Sequence, residues 1–235
     1  IYQSIISNSA HVIKGGLSYQ HDVFNELVDS VNYDREEIVP GAFGEYTFLP
    51  NNKTTLVLGL RADHHNSYGA FVTPRLHFRR ALFERTTLKL SAGRALRTAN
   101  IFAENQQIFA SSRSIRVFSQ ENSNPYGLNP ELAWNYGINL TQKFMIDYRE
   151  GAFSLDLYRT DFENQIVVDY DWDAQTVLFY NLSGRSYSNS LQAQLDYELI
   201  TRFDMRLAYR WYDVKTTYNF DLLEKPLISN NRAFI

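Results

Sequence analysis

Apolar and polar residues alternate at a period of two along most of the chain. In residues 191–199 the odd positions from Leu191 to Leu199 are apolar or aromatic, and the even positions from Gln192 to Glu198 are polar. Residues 203–212 repeat the pattern. Because a strand points successive side chains to opposite faces, this period predicts strands with one apolar and one polar face. The sequence predicts an all-β, antiparallel fold of about nine such strands.

Composition excludes several other classes of protein. The chain has 235 residues, of which 44% are hydrophobic and 21% charged, with 16 Tyr, 16 Phe and 3 Trp, so it is not a disordered chain. A net charge of −3 gives no indication of the basic surface with which proteins bind nucleic acid. The absence of cysteine excludes a disulfide scaffold, a thiolate zinc site and a cysteine nucleophile. Apolar runs such as Leu56–Leu60 are far shorter than the roughly 18 residues of a transmembrane helix.

Short and long connections alternate between the predicted strands. Short turns are expected at 50–53, 80–84, 147–151 and 200–202, and longer polar connections at 24–36, 63–71, 98–129, 168–175 and 217–232. Tight turns at one rim and long loops at the other are typical of an up-and-down outer-membrane β-barrel. A soluble β-sandwich usually has shorter strands without this asymmetry. In a β-sandwich the apolar face of each sheet would form the protein core, whereas in a membrane barrel it would face lipid.

Strand length and aromatic residues also favour the membrane interpretation. The segment from Phe203 to Trp211 spans about 20 Å along a barrel axis at a tilt near 40°. Trp134, Tyr136, Tyr209 and Trp211 are expected near the long-loop ends of their strands, where an aromatic girdle belongs.

Five short motifs resemble the barrel domain of TonB-dependent outer-membrane receptors, most closely those of the Bacteroidetes type. They are GAFGEY at 41–46, GLRAD at 59–63, TPRL at 73–76, SAGRALRTAN at 91–100 and LNPELAWNYG at 128–137. Each is short, but their order and their positions at strand ends make the combination moderately specific. The resemblance covers roughly residues 37–217.

The resemblance implies a transmembrane β-barrel segment, part of a barrel of about 22 strands around a plug domain. Residues 1–235 would be part of one β-barrel domain, without the plug and the TonB box. The whole receptor would be a transporter and not an enzyme, and it would need no cofactor. It would take up an iron chelate, cobalamin, a glycan or a metal. Its partners would be that ligand, its own plug, the TonB complex and outer-membrane lipid, with no nucleic acid.

Other polar clusters favour no catalytic or metal site. Asp63, His64 and His65 are expected to form a polar loop tip, since adjacent rings on a strand would point to opposite faces. Asp169, Asp171 and Asp173 lack the glycine and glutamate of a calcium loop. They are expected at a solvated loop tip, with sugar stacking as a secondary alternative. No spacing suggests a nucleophile, a base and an orienting acid.

The connection 98–129 carries the candidate ligand-binding residues. Amide, arginine and aromatic side chains are the usual groups that hold a polar ligand, and loops commonly carry them. The candidates are Asn105, Gln107, Arg113, Arg116 and Tyr126. The alternative is a long surface loop that packs on its own barrel. At the level of the whole protein, the alternatives are a soluble carbohydrate-binding β-sandwich or barrel and, more weakly, an outer-membrane enzyme on a small barrel.

Overall fold

A computed structural model describes residues 2–5, 10–119 and 124–235. The strands in chain order are β1 (Tyr2–Ile5), β2 (His11–Phe24), β3 (Leu27–Val28), β4 (Val31–Asn32), β5 (Arg35–Asn51), β6 (Thr54–His65), β7 (Gly69–Phe83), β8 (Thr86–Arg97), β9 (Ser114–Val117), β10 (Glu131–Ile146), β11 (Arg149–Asn164), β12 (Ile166–Asp173), β13 (Thr176–Asn181), β14 (Ser186–Ile200), β15 (Phe203–Tyr218), β16 (Asp221–Glu224) and β17 (Asn231–Phe234). A short α-helix covers Ile101–Glu104, and 3-10 helices cover Gln106–Ala110 and Pro125–Gly127. None of the helices within the described residues is long and apolar enough to cross a membrane.

Nine of these strands are 12 to 17 residues long and form one continuous antiparallel meander. The order in the sheet is β2-β5-β6-β7-β8-β10-β11-β14-β15, with β1 beyond β2 at one edge and β16 and β17 on β15 at the other. This topology confirms the predicted antiparallel segment of about nine strands. Within the described residues the two edges do not pair with each other, so the sheet is open. One continuous meander also differs from the two packed sheets of a β-sandwich.

One face of the sheet is apolar along its middle, as the alternation predicts. Leu90, Ile138, Leu157, Leu191 and Trp211 are paired in register on five successive strands and therefore share this apolar face. These side chains are not covered by a protein core: Ile138 is 47% exposed and Trp211 is 40% exposed. An exposed apolar sheet face is what a lipid-facing barrel wall presents.

The opposite, polar face carries hydrogen bonds between neighbouring strands. Asn139 donates from Nδ2 to Asp156 Oδ1 at 2.7 Å, and Arg210 donates from Nε to Gln192 Oε1 at 2.6 Å. Because these side chains alternate with the apolar ones, they leave the sheet on the side that faces the lumen when such a sheet is part of a closed barrel.

Four connections are tight turns, as predicted, and they lie at one end of the sheet. They join β5 to β6, β7 to β8, β10 to β11, and β14 to β15. The expected long connection at 63–71 is wrong. Strand β6 continues to His65 and β7 begins at Gly69, and the register pairs these two residues. The opposite end of the sheet, which carries the long connections, is called the mouth below.

Strands β2 and β5 are among the long strands, because backbone pairing runs unbroken from His11 to Phe24. The aromatic residues fit the expected girdle only in part. Trp134 and Tyr136 lie near the mouth end of β10 and stack with ring centroids 6.2 Å apart, as expected for a girdle. Trp211 lies mid-strand instead, because β15 continues to Tyr218.

Candidate functional site

The long connections at the mouth pack on one another and form their own apolar core. The cluster, called the loop core, joins the 98–129 connection to the β12–β13 hairpin; its buried members are Ala99, Ile101, Phe102, Ile108, Tyr126, Leu128, Ile166, Val177 and Phe179. Strand β9 adds to this unit by pairing in parallel with β13. Residues 98–119 and 124–129 of the connection therefore form a folded platform, which fits the alternative of self-packing, and residues 120–123 lie outside the described residues.

Arg35, the first residue of β5, connects the platform to the barrel wall. Its Nη1 lies 2.6 Å from Glu26 Oε2, and its Nε lies 2.9 Å from Glu37 Oε1. Nη1 also donates to the Tyr126 hydroxyl at 2.9 Å, while the guanidinium stacks 3.9 Å from the centroid of the Phe24 ring. The Arg35 side chain is only 9% exposed. Its planar fork of donors suits several simultaneous partners in a buried position.

Tyr126, one of the predicted ligand-binding residues, is buried in this network. It lies in the 3-10 helix Pro125–Gly127 with a left-handed φ of 56° and is 8% exposed. Its hydroxyl donates a short hydrogen bond to Glu26. Burial and this hydrogen bond raise the pKa of Tyr126 well above the ordinary tyrosine value. Through its hydrogen bonds with Glu26 and Arg35, the Tyr126 hydroxyl holds its own loop against the barrel wall at the mouth.

His65 extends the same network on the barrel side. It is 2% exposed, and its Nδ1 accepts a 3.1 Å hydrogen bond from the Ser67 backbone N–H. Its Nε2 lies 3.6 Å from Glu37 Oε2 and lacks a hydrogen-bond partner in the described part of the chain. The expected polar loop tip at 63–65 is wrong, because β6 includes it and Asp63 is buried beside Arg61.

Gln107 and Arg113 bind Tyr170 of β12, and Asn105 lies in the lining of the same cavity as Gln107 and Tyr170. Gln107 donates from Nε2 to the Tyr170 hydroxyl at 2.9 Å, and Arg113 donates from Nη1 to the Tyr170 carbonyl at 3.0 Å. Asn105 donates from Nδ2 to the Ile101 carbonyl at 2.8 Å. Asn105, Gln107 and Tyr170 line a cavity of about 220 Å³ together with Lys225, which supplies a cation.

Arg116 lies apart from these groups. It occupies an exposed position on β9, and its side chain makes no hydrogen bond or ion pair with the residues that the structure describes. The five predicted residues are thus divided among the cavity at Tyr170, the exposed edge of β9 and the Arg35 network.

An aromatic pocket at the tips of the connections combines residues that sequence reasoning did not bring together. Phe118, Trp172, Tyr180 and Phe220 line a cavity of about 340 Å³. Phe118 is 60% exposed, Trp172 55% and Phe220 88%. Phe118 and Trp172 precede β14 in the chain, whereas Phe220 comes from the distant connection after β15. Only the fold brings these rings together.

The acidic run at 169–173 is only partly solvated. Asp171 and Asp173 are exposed as expected, but Asp169 is 3% exposed and accepts hydrogen bonds from the backbone N–H groups of Asp171 and Trp172. Burial, followed by the nearby Asp169 carboxylate, raises the pKa of Tyr180 to about 12. Asp169 therefore organises the hairpin. No group of three or more His, Cys, Asp or Glu side chains within 2–5, 10–119 and 124–235 is placed to hold a metal ion.

Comparison with known protein families gives one extensive match. The family described as "TonB dependent receptor-like, beta-barrel" matches residues 7–233. Among curated proteins, the "Ferric enterobactin receptor" of Pseudomonas aeruginosa is 30% identical over 135 residues, which are 57% of this chain and 16% of that protein. The "Ferric enterobactin receptor PirA" of the same organism is 26% identical over 145 residues, which are 61% of this chain and 19% of that protein. The chain thus spans less than a fifth of the length of either relative.

Solved structures of receptors have the same fold. A variant of the ferric enterobactin receptor PfeA from Pseudomonas aeruginosa matches with a TM-score of 0.65 and 16% sequence identity. The match covers 89% of this chain and 34% of the solved chain. At 16% identity the likeness shows the fold alone, and that fold agrees with the antiparallel sheet described above.

Proposed function

Because this chain belongs to the TonB dependent receptor-like β-barrel family, we propose that it forms part of a receptor that takes up an iron chelate across the outer membrane. The observation that carries the proposal is the match over residues 7–233, which includes all nine long strands and the mouth. The family and its receptor relatives locate the protein in the bacterial outer membrane.

The choice of an iron chelate over cobalamin, a glycan or a metal ion rests on the curated relatives. Both are named as ferric enterobactin receptors. The exposed aromatic pocket and the amide, arginine and lysine side chains at the mouth suit a chelate that carries both rings and negative charge. We propose a transporter and not an enzyme, since the relatives are named as receptors.

We assign different roles to the five predicted ligand-binding residues. Gln107 and Arg116 are exposed and are proposed to contact the ligand directly. Asn105 and Arg113 are proposed to shape the cavity at Tyr170, since each donates to a backbone carbonyl. Direct contact between the ligand and Tyr126 stays a prediction, and burial favours a positioning role for this residue.

The remaining partners follow from family membership. We propose that residues 1–235 are part of one β-barrel domain, since its long strands form one sheet. The whole receptor is proposed to contain a plug domain inside the barrel and to contact the TonB complex and outer-membrane lipid. The Bacteroidetes-type assignment stays a prediction, because both curated relatives come from Pseudomonas aeruginosa.

Uptake by cells that carry only this receptor tests the proposed function. The full-length protein is expressed in an outer-membrane receptor-deficient strain, and accumulation of ⁵⁵Fe is measured with a panel of ferric siderophores. We expect accumulation of at least one ferric chelate, which is lost when TonB is removed. Accumulation of none of them, with normal receptor abundance at the surface, would contradict the proposal.

Point substitutions at the mouth test the assigned residues. Gln107→Ala and Arg116→Ala are expected to weaken ligand binding, since each removes an exposed polar group. Arg85→Ala is the matched control, because Arg85 is an exposed arginine in the tight turn at the opposite end of the sheet. If all three variants bind the ligand with equal affinity, Gln107 and Arg116 do not belong to the ligand site.

A further inference from the structure

Each of the four tight turns carries one basic residue. In chain order these residues are Lys53, Arg85, Arg149 and Arg202, and each lies in its turn or directly beside it. Within the described part of the chain, none of the four forms an ion pair. The carboxylates of these turns are Glu84 and Asp147, so the four turns together have an excess of positive charge. We call this end of the sheet the turn rim.

Acidic and basic side chains at the turn rim leave the sheet on opposite faces. Glu198 is paired in register with Asp204, and both lie on the polar face. Arg149 is paired with Ile146, which lies an even number of residues along β10 from Ile138, and therefore Arg149 is on the apolar face. The guanidinium of Arg149 thus leaves the sheet on the membrane side, away from these two carboxylates.

Two aromatic rings lie on the apolar face beside Arg149. Phe144 is paired with Gly151, and Gly151 with Tyr197, on three adjacent strands. The two rings stack across the glycine with centroids 5.9 Å apart, and a Cβ at position 151 would lie 2.3 Å from the Phe144 ring. Aromatic rings at the rim of a barrel mark the level at which hydrocarbon gives way to lipid headgroups. Arg149 is two residues closer to the turn than Gly151, so it lies at headgroup level.

The Arg149 guanidinium is fixed at the neighbouring turn. Its Nη1 donates to the Leu199 carbonyl at 2.7 Å, and Leu199 lies just before the β14–β15 turn that contains Arg202. Within the described residues this is the one hydrogen bond of the Arg149 side chain. A guanidinium has five N–H donors, so most of them remain for a ligand. Their planar arrangement matches the oxygens of a phosphate group.

We propose that Arg149 and Arg202 bind the phosphate of an anionic phospholipid, whose acyl chains lie against Phe144 and Tyr197. The short turns of outer-membrane barrels face the periplasm, so the lipid belongs to the periplasmic leaflet. The inference goes beyond the uptake of a ligand and depends on the membrane location alone.

Position and charge favour a phospholipid over a soluble anion. The two arginines adjoin the lipid-facing apolar face, so a headgroup bound there places its acyl chains on that face. A soluble phosphate would gain from the two cations only, whereas a lipid also covers exposed apolar side chains such as Leu199. Each basic residue near an anionic membrane surface strengthens lipid binding about fivefold.

Site-specific quenching in the full-length receptor tests the proposal. Leu199→Cys, in receptor free of other reactive thiols, carries a fluorophore beside the two arginines. The receptor is reconstituted in phosphatidylcholine vesicles that contain equal fractions of either tail-brominated phosphatidylglycerol or tail-brominated phosphatidylcholine. We expect stronger quenching by the phosphatidylglycerol, equivalent to a preference of about fivefold or more. Equal quenching by the two brominated lipids would overturn the proposal without any further variant.

Two matched double variants separate a site from general attraction between charges. Arg149→Gln/Arg202→Gln is expected to reduce the preference for phosphatidylglycerol to about one. Lys53→Gln/Arg85→Gln removes the same charge from the other two turns and is expected to leave most of the preference in place. An equal loss in both variants, or no loss in the first, would overturn the proposal. No step requires iron uptake, so this test and the test of the proposed function fail independently.

Discussion

Gly59 lies directly beneath the side chain of Arg75, which crosses the glycine to reach Glu45. The register pairs Glu45 with Gly59 and Gly59 with Arg75 on three adjacent strands. Arg75 Nη2 lies 2.6 Å from Glu45 Oε2, and a Cβ at position 59 would lie 2.5 Å from Arg75 Nε. The glycine therefore permits an ion pair that skips one strand.

Gly59→Ala is expected to destabilise the full-length receptor relative to Gly44→Ala. The added methyl group displaces Arg75, whereas a Cβ on Gly44 meets no described atom within 4 Å. The Arg75 side chain is 53% exposed, so we expect a difference of no more than about 1 kcal/mol. Urea unfolding measures it, and in a Glu45→Gln background the difference should shrink. Equal stability of the two variants would remove the proposed role of Gly59.

Arg35→Lys is expected to loosen the platform at the mouth without unfolding the barrel. Lysine keeps the charge but loses the planar fork that contacts Glu26, Glu37 and Tyr126. Groups left unsatisfied in this buried network cost about 1–3 kcal/mol each. Limited proteolysis should therefore cut the 98–129 connection faster while the heat-resistant barrel persists.

The control for this change is Arg97→Lys at another ion-paired arginine near the mouth. Arg97 is 57% exposed and contacts Glu131 and Glu104, so its replacement should alter cleavage little. Equal cleavage of the two variants would contradict a special role for Arg35.

The 235-residue segment expressed alone is expected not to insert as a stable closed barrel. Strands β1 and β2 at one edge and β15 to β17 at the other do not meet within the described residues. Unpaired backbone groups in hydrocarbon cost several kcal/mol each. Semi-native electrophoresis in detergent measures heat-modifiable folding. A monomeric, heat-resistant species from this segment would contradict the prediction.

The sheet was predictable from sequence because its signal is local. The alternation of apolar and polar residues between Leu191 and Leu199 depends only on the face of the strand to which each side chain points. The prediction of a long connection at 63–71 is wrong for a related reason. Asp63 and His65 are polar, but they lie on the inward face of a strand and not in a loop. Polarity alone does not separate a lumen-facing strand end from a turn.

The mouth was less predictable because long-range contacts build it. The sequence makes the loop between β8 and β10 a ligand-binding candidate, yet the Tyr126 hydroxyl is bound to Glu26 of the β2–β5 connection and to Arg35 of β5. The aromatic pocket joins Phe118 to Phe220 across much of the chain. Neither contact leaves a periodic pattern in the sequence.

Leu195→Arg and Gln194→Arg are expected to differ strongly in the full-length receptor. Leu195 is paired with Phe153 and Leu207 on the apolar face, while Gln194 donates to Asp196 on the polar face at 2.7 Å. An arginine near the bilayer midplane costs about 2–4 kcal/mol, whereas a lumen-facing one should cost little. Unfolding in lipid vesicles measures the difference, and equal costs would contradict the assignment of the faces.

Fluorescence quenching at these two positions tests most directly whether the apolar face meets lipid. Leu195→Cys and Gln194→Cys are made separately in full-length receptor free of other reactive thiols, labelled with an environment-sensitive fluorophore and reconstituted in vesicles. The lipid-facing assignment predicts that the probe at position 195 is quenched by lipid-tail quenchers and shielded from aqueous iodide, with the reverse at position 194. A probe at position 195 that lipid-tail quenchers leave unchanged, in correctly folded receptor, would mean that the apolar face is covered by protein.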